Sequence, residues 1–487
     1  MSKFQPEHFH QQAADALADP QLRHNFRGAM DYLQSKRKSA FADPQEEAAI
    51  RDRAEAIRRR CLRKLPELLE QLETNCTANG IQVHWAENAK QANAIFLAIA
   101  QSVAQPVSNP KTNHALLMIK GKSMVSEEIN LNHEMAKHQI TCLESDMGEY
   151  IIQLDGDTPS HIIMPAIHKN KQQVSDTFSE HLDHFTPTTD VDSLIRTGRQ
   201  QLREKFRTAQ IGVSGVNFAV AETGTLCLVE NEGNGRMCTT VPDIHIAVTG
   251  IEKVVELLSD VPPLYSALTR SATGQAITTY FNMISSPRKP GELDGPKAVH
   301  LILLDNGRSQ AYQDEETRQT LQCIRCGACM NHCPVYTRIG GHAYGTVYPG
   351  PIGKIISPHL LGLEATQDLV TASSLCGACG EVCPVRIPIP SLLQRLRHDA
   401  KLPPEQEHQP LRGQQSAAST TESMMMKAFA TVACHPSVYH TGTWLAGKVR
   451  HWMPDNMSNW TQCRTAPKPA ATSLHHLLKQ KRKGTQQ

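Results

Sequence analysis

Seven of the fourteen cysteines in this chain crowd between Cys323 and Cys383. The first run, Cys323-Ile-Arg-Cys326-Gly-Ala-Cys329-Met-Asn-His-Cys333-Pro334, has the C-x2-C-x2-C-x3-C-P spacing of bacterial ferredoxins. Three thiolates on one tight loop can grip three corners of an iron–sulfur cube. Gly327 and Ala328 let the backbone come close enough to donate N–H groups to sulfide, and Pro334 turns the chain away toward a second site. The second run, Cys376-Gly-Ala-Cys379-Gly-Glu-Val-Cys383-Pro384, lacks the first cysteine of the pattern, and Ser373 stands there. Where two such runs share two clusters, the fourth cysteine of each ligates the other cluster. Cys323, Cys326, Cys329 and Cys383 are then expected to hold one 4Fe-4S cluster, and Cys333, Cys376 and Cys379 a second.

The motif leaves the fourth corner of the second cluster open, so that cluster is expected to be labile or to fall to a three-iron form. A serine hydroxyl ionises far less readily than a thiol, which makes Ser373 a poor ligand. Cys142, Cys238 and Cys434 are remote cysteines that the fold can bring in. Zinc is the competing use of C-x2-C pairs, but it takes four ligands in two pairs, and runs of four and three fit it badly. A purely structural staple needs only one cluster, whereas two crossing over set redox centres side by side. These seven cysteines are therefore read as metal ligands serving electron transfer. The 42 residues between the motifs hold Tyr348-Pro-Gly-Pro-Ile-Gly-Lys354 and two helical stretches, 352–362 and 366–375. Small ferredoxins join their motifs with strands, so this insertion points to an α-helical ferredoxin domain.

The rest of the chain must position these groups. Its 487 residues suggest two or three domains. Fifty basic and 48 acidic residues give a net charge of +2, which is no footprint for nucleic acid or an anionic membrane surface. MSKFQPEHFHQQ has no apolar signal core, and the longest uncharged stretch, Asn93 to Pro110, is too polar to span a bilayer. A cytoplasmic location is expected, where scattered thiols such as Cys61 and Cys76 stay reduced.

Residues 1–44 read as an irregular or partly helical arm, and Pro44 to Thr77 as a helix stopped by Asn79-Gly80. Apolar runs Ile81–Trp85, Ala115–Ile119, Ile140–Leu143 and Tyr150–Leu154 read as strands, with helices at Ala86–Val103 and Ser126–His138 between them. This alternation predicts an α/β domain with a partly parallel sheet. A helix over 188–208 precedes a glycine-rich block with strands Phe218–Val220, Gly224–Val229 and Ile244–Val248, then a helix from Ile251 to Ser259 and a buried strand Val299–Leu304. Arg308 to Gln322 is a charged helical lead into the cysteines. The domain plan is an N-terminal helical arm over 1–70, an α/β domain over 71–305, and a two-cluster ferredoxin domain over 306–400. A linker follows over 401–420, then a Trp-containing segment over 421–465 with Trp444, Trp452 and Trp460, and a disordered tail over 466–487.

The pair CIRCGACMNHCPVY and CGACGEVCPVRIPIP, joined by YPGPIGK, resembles the lactate-utilisation protein B family. Upstream, KSMVSEEINLNH, GEYIIQL, SHIIMPAIH and AETGT resemble that family's LUD domain, so the likeness runs from about residue 70 to about residue 460. It implies an α/β fold akin to sugar isomerases and CoA transferases. It also implies an iron–sulfur, electron-transfer subunit of L-lactate oxidation to pyruvate, acting with two companion subunits. Its second run, too, has three cysteines. No flavin or nicotinamide fingerprint follows Gly212-Val-Ser-Gly215, which favours a carrier over an enzyme. The alternative is a LUD domain that itself binds and converts a small organic or acyl acid. Glu127 and Glu128, which follow Lys122 on a helix start, and Glu222 are its candidate site residues, though caps and surface charges are the commoner use of such groups. His133, His161, His168 and His245 are read as ordinary histidines rather than a metal site.

Overall fold

Short β-branched runs separated by amphipathic helices build the larger part of the chain around a parallel sheet. The computed structural model describes residues 5–103, 116–401, 420–456, 461, 465, 466 and 468–484. The strands are β1 (Gln82–Ala86), β2 (Leu117–Lys120), β3 (Thr141–Glu144), β4 (Ile211–Gly215), β5 (Phe218–Val220), β6 (Thr225–Glu230), β7 (Ile244–Gly250), β8 (Val254–Val255), β9 (Tyr280–Ile284) and β10 (Ala298–Leu304). Six of them form a parallel sheet in the order β1-β10-β7-β4-β2-β3. Its central strands β7 and β10 are apolar on both faces (Ile246 and Ala247, Leu301 to Leu304), as expected where both sides are covered.

A smaller sheet, ordered β8-β5-β6-β9, stands beside it. Its β5–β6 hairpin turns at Gly224, whose φ is +64°. A Cβ there would lie 2.7 Å from the backbone of Asn75 and Cys76, so the AETGT turn needs glycine for both conformation and space.

Several expectations change. Residues 9–40, read as irregular or partly helical, form two full helices, Phe9–Ala18 and Pro20–Ala40. Phe26, Met30 and Leu33 are buried in the main core. Tyr150–Leu154, read as a strand, belongs to the helix Met147–Leu154. The Asp146 carboxylate caps that helix through the N–H groups of Gly148 and Glu149. A short apolar run buried on all sides carries no period that separates strand from helix. The Pro44–Thr77 helix divides at Lys64, ahead of Leu65-Pro66. Ile251–Ser259 is not one helix but two 3-10 turns around β8, and the long helix Val261–Thr273 follows. The Ala115–Ile119 strand begins at Leu117, and Ala115 lies outside the described residues.

From Arg308 to Asp399 the described chain is helical and strandless. Helices Gly350–Leu361, Leu363–Thr371 and Ile389–Asp399 surround three one-turn helices, Ala328–Asn331, Tyr336–Ile339 and Ala378–Glu381. All of this belongs to one unit, Met1–Gln415. Ser416–Gln487 forms another, with helices Thr420–Cys434, Pro436–Val449 and Leu474–Gly484. The last of these lies where a disordered tail was expected. The expected linker falls almost wholly outside the described residues, as does Trp460. Among the described residues, no helix is long and apolar enough to cross a membrane.

Candidate metal centre

Each cysteine run folds the same way. Arg325, Cys326 and Gly327 lead into the one-turn helix Ala328–Asn331, with φ of 61° at Arg325 and 76° at Gly327. Leu375, Cys376 and Gly377 lead into Ala378–Glu381, with φ of 53° and 89° at the matching residues. The paired left-handed residues curl the loop so that sulfur atoms and backbone N–H groups face inward. The Arg325 N–H donates to Cys323 Sγ at 3.3 Å, and the Ile387 N–H to Cys383 Sγ at 3.3 Å. The N–H groups of Ala328 and Ile352 donate to Cys326 and Cys329.

The fold brings Cys323, Cys326, Cys329 and Cys383 within electrostatic reach of one another, all of them buried. Burial, and then their mutual repulsion, pushes the thiols of Cys326 and Cys329 up. Burial raises Cys383 to about 11. Desolvated thiols such as those of Cys326, Cys329 and Cys383 keep their protons unless a metal displaces them, and the four-cysteine donor set fits iron. A second group gathers Cys333, Cys376 and Cys379. A small cavity there is lined by these three and by Ser373, His332 and Pro351. Cys376 is exposed and Cys379 half-buried. Burial, then Cys333, raises the Cys379 thiol to about 11. Cys329 and Cys333 belong to different groups yet lie only four residues apart, Cys329 in the helix Ala328–Asn331 and Cys333 just past its cap residue His332.

Ser373 sits as Cys323 does: its Oγ accepts the Leu375 N–H at 3.2 Å. Two of the remote cysteines are engaged elsewhere. Cys142, in β3, packs against Met118 Sδ at 3.7 Å and Cys238 against Ser145 Oγ at 3.4 Å, both buried. Cys434 is exposed at the end of a helix in the second unit.

Arginines of the N-terminal helices hold the cysteine loops, a role that sequence reading missed. Arg58 is buried and donates to the carbonyls of Leu321 and Gln322 at 2.9 and 3.3 Å. Arg51 donates to the Cys383 carbonyl at 3.1 Å and Arg37 to that of Val382 at 3.4 Å. In sequence they are ordinary members of charged helices; only Arg58, next to Ile57 on the apolar stripe, stands out.

A cavity of about 580 Å³ adjoins the first cysteine loop. It opens at the carboxyl ends of β2 and β4, through Lys122 and Ser123 on one side and Ser214 and Gly215 on the other. Ile162 and Ile163 separate it from Gly327. Lys253 and Arg325 line it as well, and burial and Arg325 push the Lys253 ammonium down to about 7.

The other candidates disperse. Lys122 donates to Asp146 at 3.1 Å. Glu127 pairs with buried Lys120 at 2.9 Å, and Glu128 with Arg308 at 2.8 Å. Glu222 caps the N–H of Leu258 at 2.8 Å. His133 borders a separate cavity, of about 230 Å³. His161 links to Asn331 Oδ1 at 3.0 Å, and His245 to Ser214 Oγ at 2.8 Å. His168 meets Asp157 at 2.9 Å, with His342 beside them, a grouping of metal-ligand types that the sequence did not signal.

A LUD domain model matches residues 69–304, a 4Fe-4S dicluster domain model residues 319–387, and a model of the lactate utilisation protein B C-terminal region residues 395–483. Lactate utilization protein B of Bacillus licheniformis is 38% identical over 99% of this chain and 98% of its own. The Bacillus subtilis protein of the same name is 39% identical over 95% and 94%. An uncharacterized electron transport protein, YkgF of Escherichia coli, is also 39% identical, over 95% and 94%. A solved structure of a DUF162 family protein from Deinococcus radiodurans covers 49% of this chain and 98% of its own. At 14% identity and a TM-score of 0.25, that likeness is too weak to carry an argument.

Proposed function

Because the chain belongs to the lactate utilisation protein B family, we propose that this iron–sulfur component relays electrons from L-lactate oxidation through two 4Fe-4S clusters. Cys323, Cys326, Cys329 and Cys383 hold the first, and Cys333, Cys376 and Cys379 the second. When bound, the clusters supply one-electron transfer. The protein supplies the spacing, the burial and the N–H groups that stabilise charge on sulfur. The chain acts in the cytoplasm with two companion subunits, one of which oxidises the acid. Its LUD region is of the sugar-isomerase type and residues 306–400 are a helical ferredoxin domain, between a helical arm (1–70) and a linker, Trp-containing segment and tail (401–487).

One observation carries this reading: two thiol groups interleave through the first cysteine run, one group buried and the other reaching the surface. That arrangement suits a relay in which electrons cross the protein surface at exposed Cys376. Electron-spin spectra of the fully reduced protein test it. Two clusters this close give a signal broadened by spin–spin interaction. The signal of one isolated cluster contradicts the relay.

A further inference from the structure

The 580 Å³ cavity beside the first cysteine loop has the features of a ligand site in its own right. In the parallel sheet, β2 is followed by β3 on one side and flanked by β4 on the other, so the chain reverses its direction of travel between β2 and β4. In open α/β sheets, ligands bind outside the carboxyl ends of the strands at such a switch point. This cavity opens there, and its size is that of an organic ligand site.

Its charge names the ligand. Arg325 has a side chain 9% exposed. One nitrogen, Nη2, meets Glu252 at 3.2 Å, while Nη1 is buried with no hydrogen-bond partner. Lys253 is 6% exposed and lines the same cavity, where its nearby carboxylate, Glu252, is already shared by Arg308 and Arg325. One carboxylate among three buried basic side chains, with Arg325 Nη1 unused, is a costly arrangement unless an anion meets it. Asp146, Glu230 and Glu232 line the same cavity and favour hydrogen-bond donors. Ile162, Ile163, Val216 and Leu268 give it an apolar wall.

We infer that this cavity binds an organic oxyanion, with its carboxylate or phosphate head between Arg325 and Lys253 and its body along the apolar wall. The site goes beyond the electron-carrier reading and does not depend on how the cysteines share iron. It places the ligand against the loop that carries Cys323 and Cys326.

Calorimetric titration of the anaerobically purified full chain tests it, with L-lactate and pyruvate as carboxylate probes and inorganic phosphate and adenosine monophosphate as phosphate probes. At least one probe binds saturably, and the stronger pair identifies the head group. Lys253→Met and Arg325→Gln each weaken that binding tenfold or more. Lys253→Met removes a buried amine that burial and Arg325 make costly to charge, so it keeps or gains thermal stability while losing the ligand. Iron content, measured on the same samples, reports on the cluster reading separately. No saturable binding of any probe below about 10 mM, or binding that Lys253→Met leaves unchanged, overturns the site.

Discussion

The guanidinium of Arg325 lies 3.2 Å from the Glu252 carboxylate and 4.6 Å from the centre of the Tyr348 ring. A residue between Cys323 and Cys326 is thereby tied to the end of the parallel sheet. Glu252 also accepts from Arg308 Nε at 2.6 Å, and Arg308 forks onto Glu128 with two contacts of 2.8 Å. The Tyr348 hydroxyl donates to the same Glu128 at 2.8 Å, closing a ring of five side chains. Burial works against charge on Glu252, yet Arg308, Arg325 and Lys253 hold its carboxyl down to about 2.

Glu252→Gln leaves Arg308 and Arg325 buried without their shared counter-charge. Breaking a buried pair in this way costs about 3–5 kcal/mol. Chemical denaturation is expected to show that loss. The first cluster's absorbance is expected to bleach sooner than in the parent protein. A variant within about 0.5 kcal/mol of the parent would show that the ring contributes no more than a surface substitution does.

Cys329→Ala is expected to remove the first cluster and electron transfer together. Cys61→Ala is expected to keep both, because Cys61 is a wholly buried thiol on the helix Pro44–Arg63 and acts as a small apolar residue. Its cost is about 1 kcal/mol of packing. Bleaching of the Cys61 variant would mean that a scattered cysteine takes part in ligation.

Ser373→Cys is expected to complete the second site. The Ser373 Oγ accepts the Leu375 N–H as Cys323 Sγ accepts that of Arg325. Mild air exposure should convert the parent's second cluster to a three-iron form with its oxidised spin signal, and the variant should resist. With Cys142 and Cys238 packed elsewhere, equal air stability of parent and variant would turn the search for the missing ligand to Cys434.

Mild acid should destabilise the fold through its buried histidines. Burial holds the imidazole of His161 down to about 4 and that of His245 to about 3. Between pH 6.5 and 4 the unfolded chain therefore takes up protons that the folded chain refuses, and stability falls as pH falls. Each group contributes about 1.4 kcal/mol per pH unit inside that window. Thermal midpoints between pH 7 and 5 should decline. A flat or rising profile would mean that these rings are charged in the fold.

The sequence made the cysteine loops legible because their chemistry is local: Cys326-Gly327 and Cys376-Gly377 declare both the ligand and the turn within a few residues. The parallel sheet was legible for the same reason, through runs such as Val299–Leu304. What it hid depends on contacts between distant segments. Arg58 reaches Leu321 across more than 260 residues, and nothing near Arg58 announces a partner. The Glu127 and Glu128 pair was visible, but only the fold assigns one to Lys120 and the other to Arg308. Tyr150–Leu154 went astray because a helix buried all round looks like a buried strand in so short a window.

The central claim is that two clusters interleave in residues 323–383. Iron and acid-labile sulfide, determined per chain on protein purified without oxygen, test it most directly. The account predicts about eight irons, or about seven if the second cluster is in its three-iron form. About four irons would contradict it, because the second cysteine group would then hold no cluster.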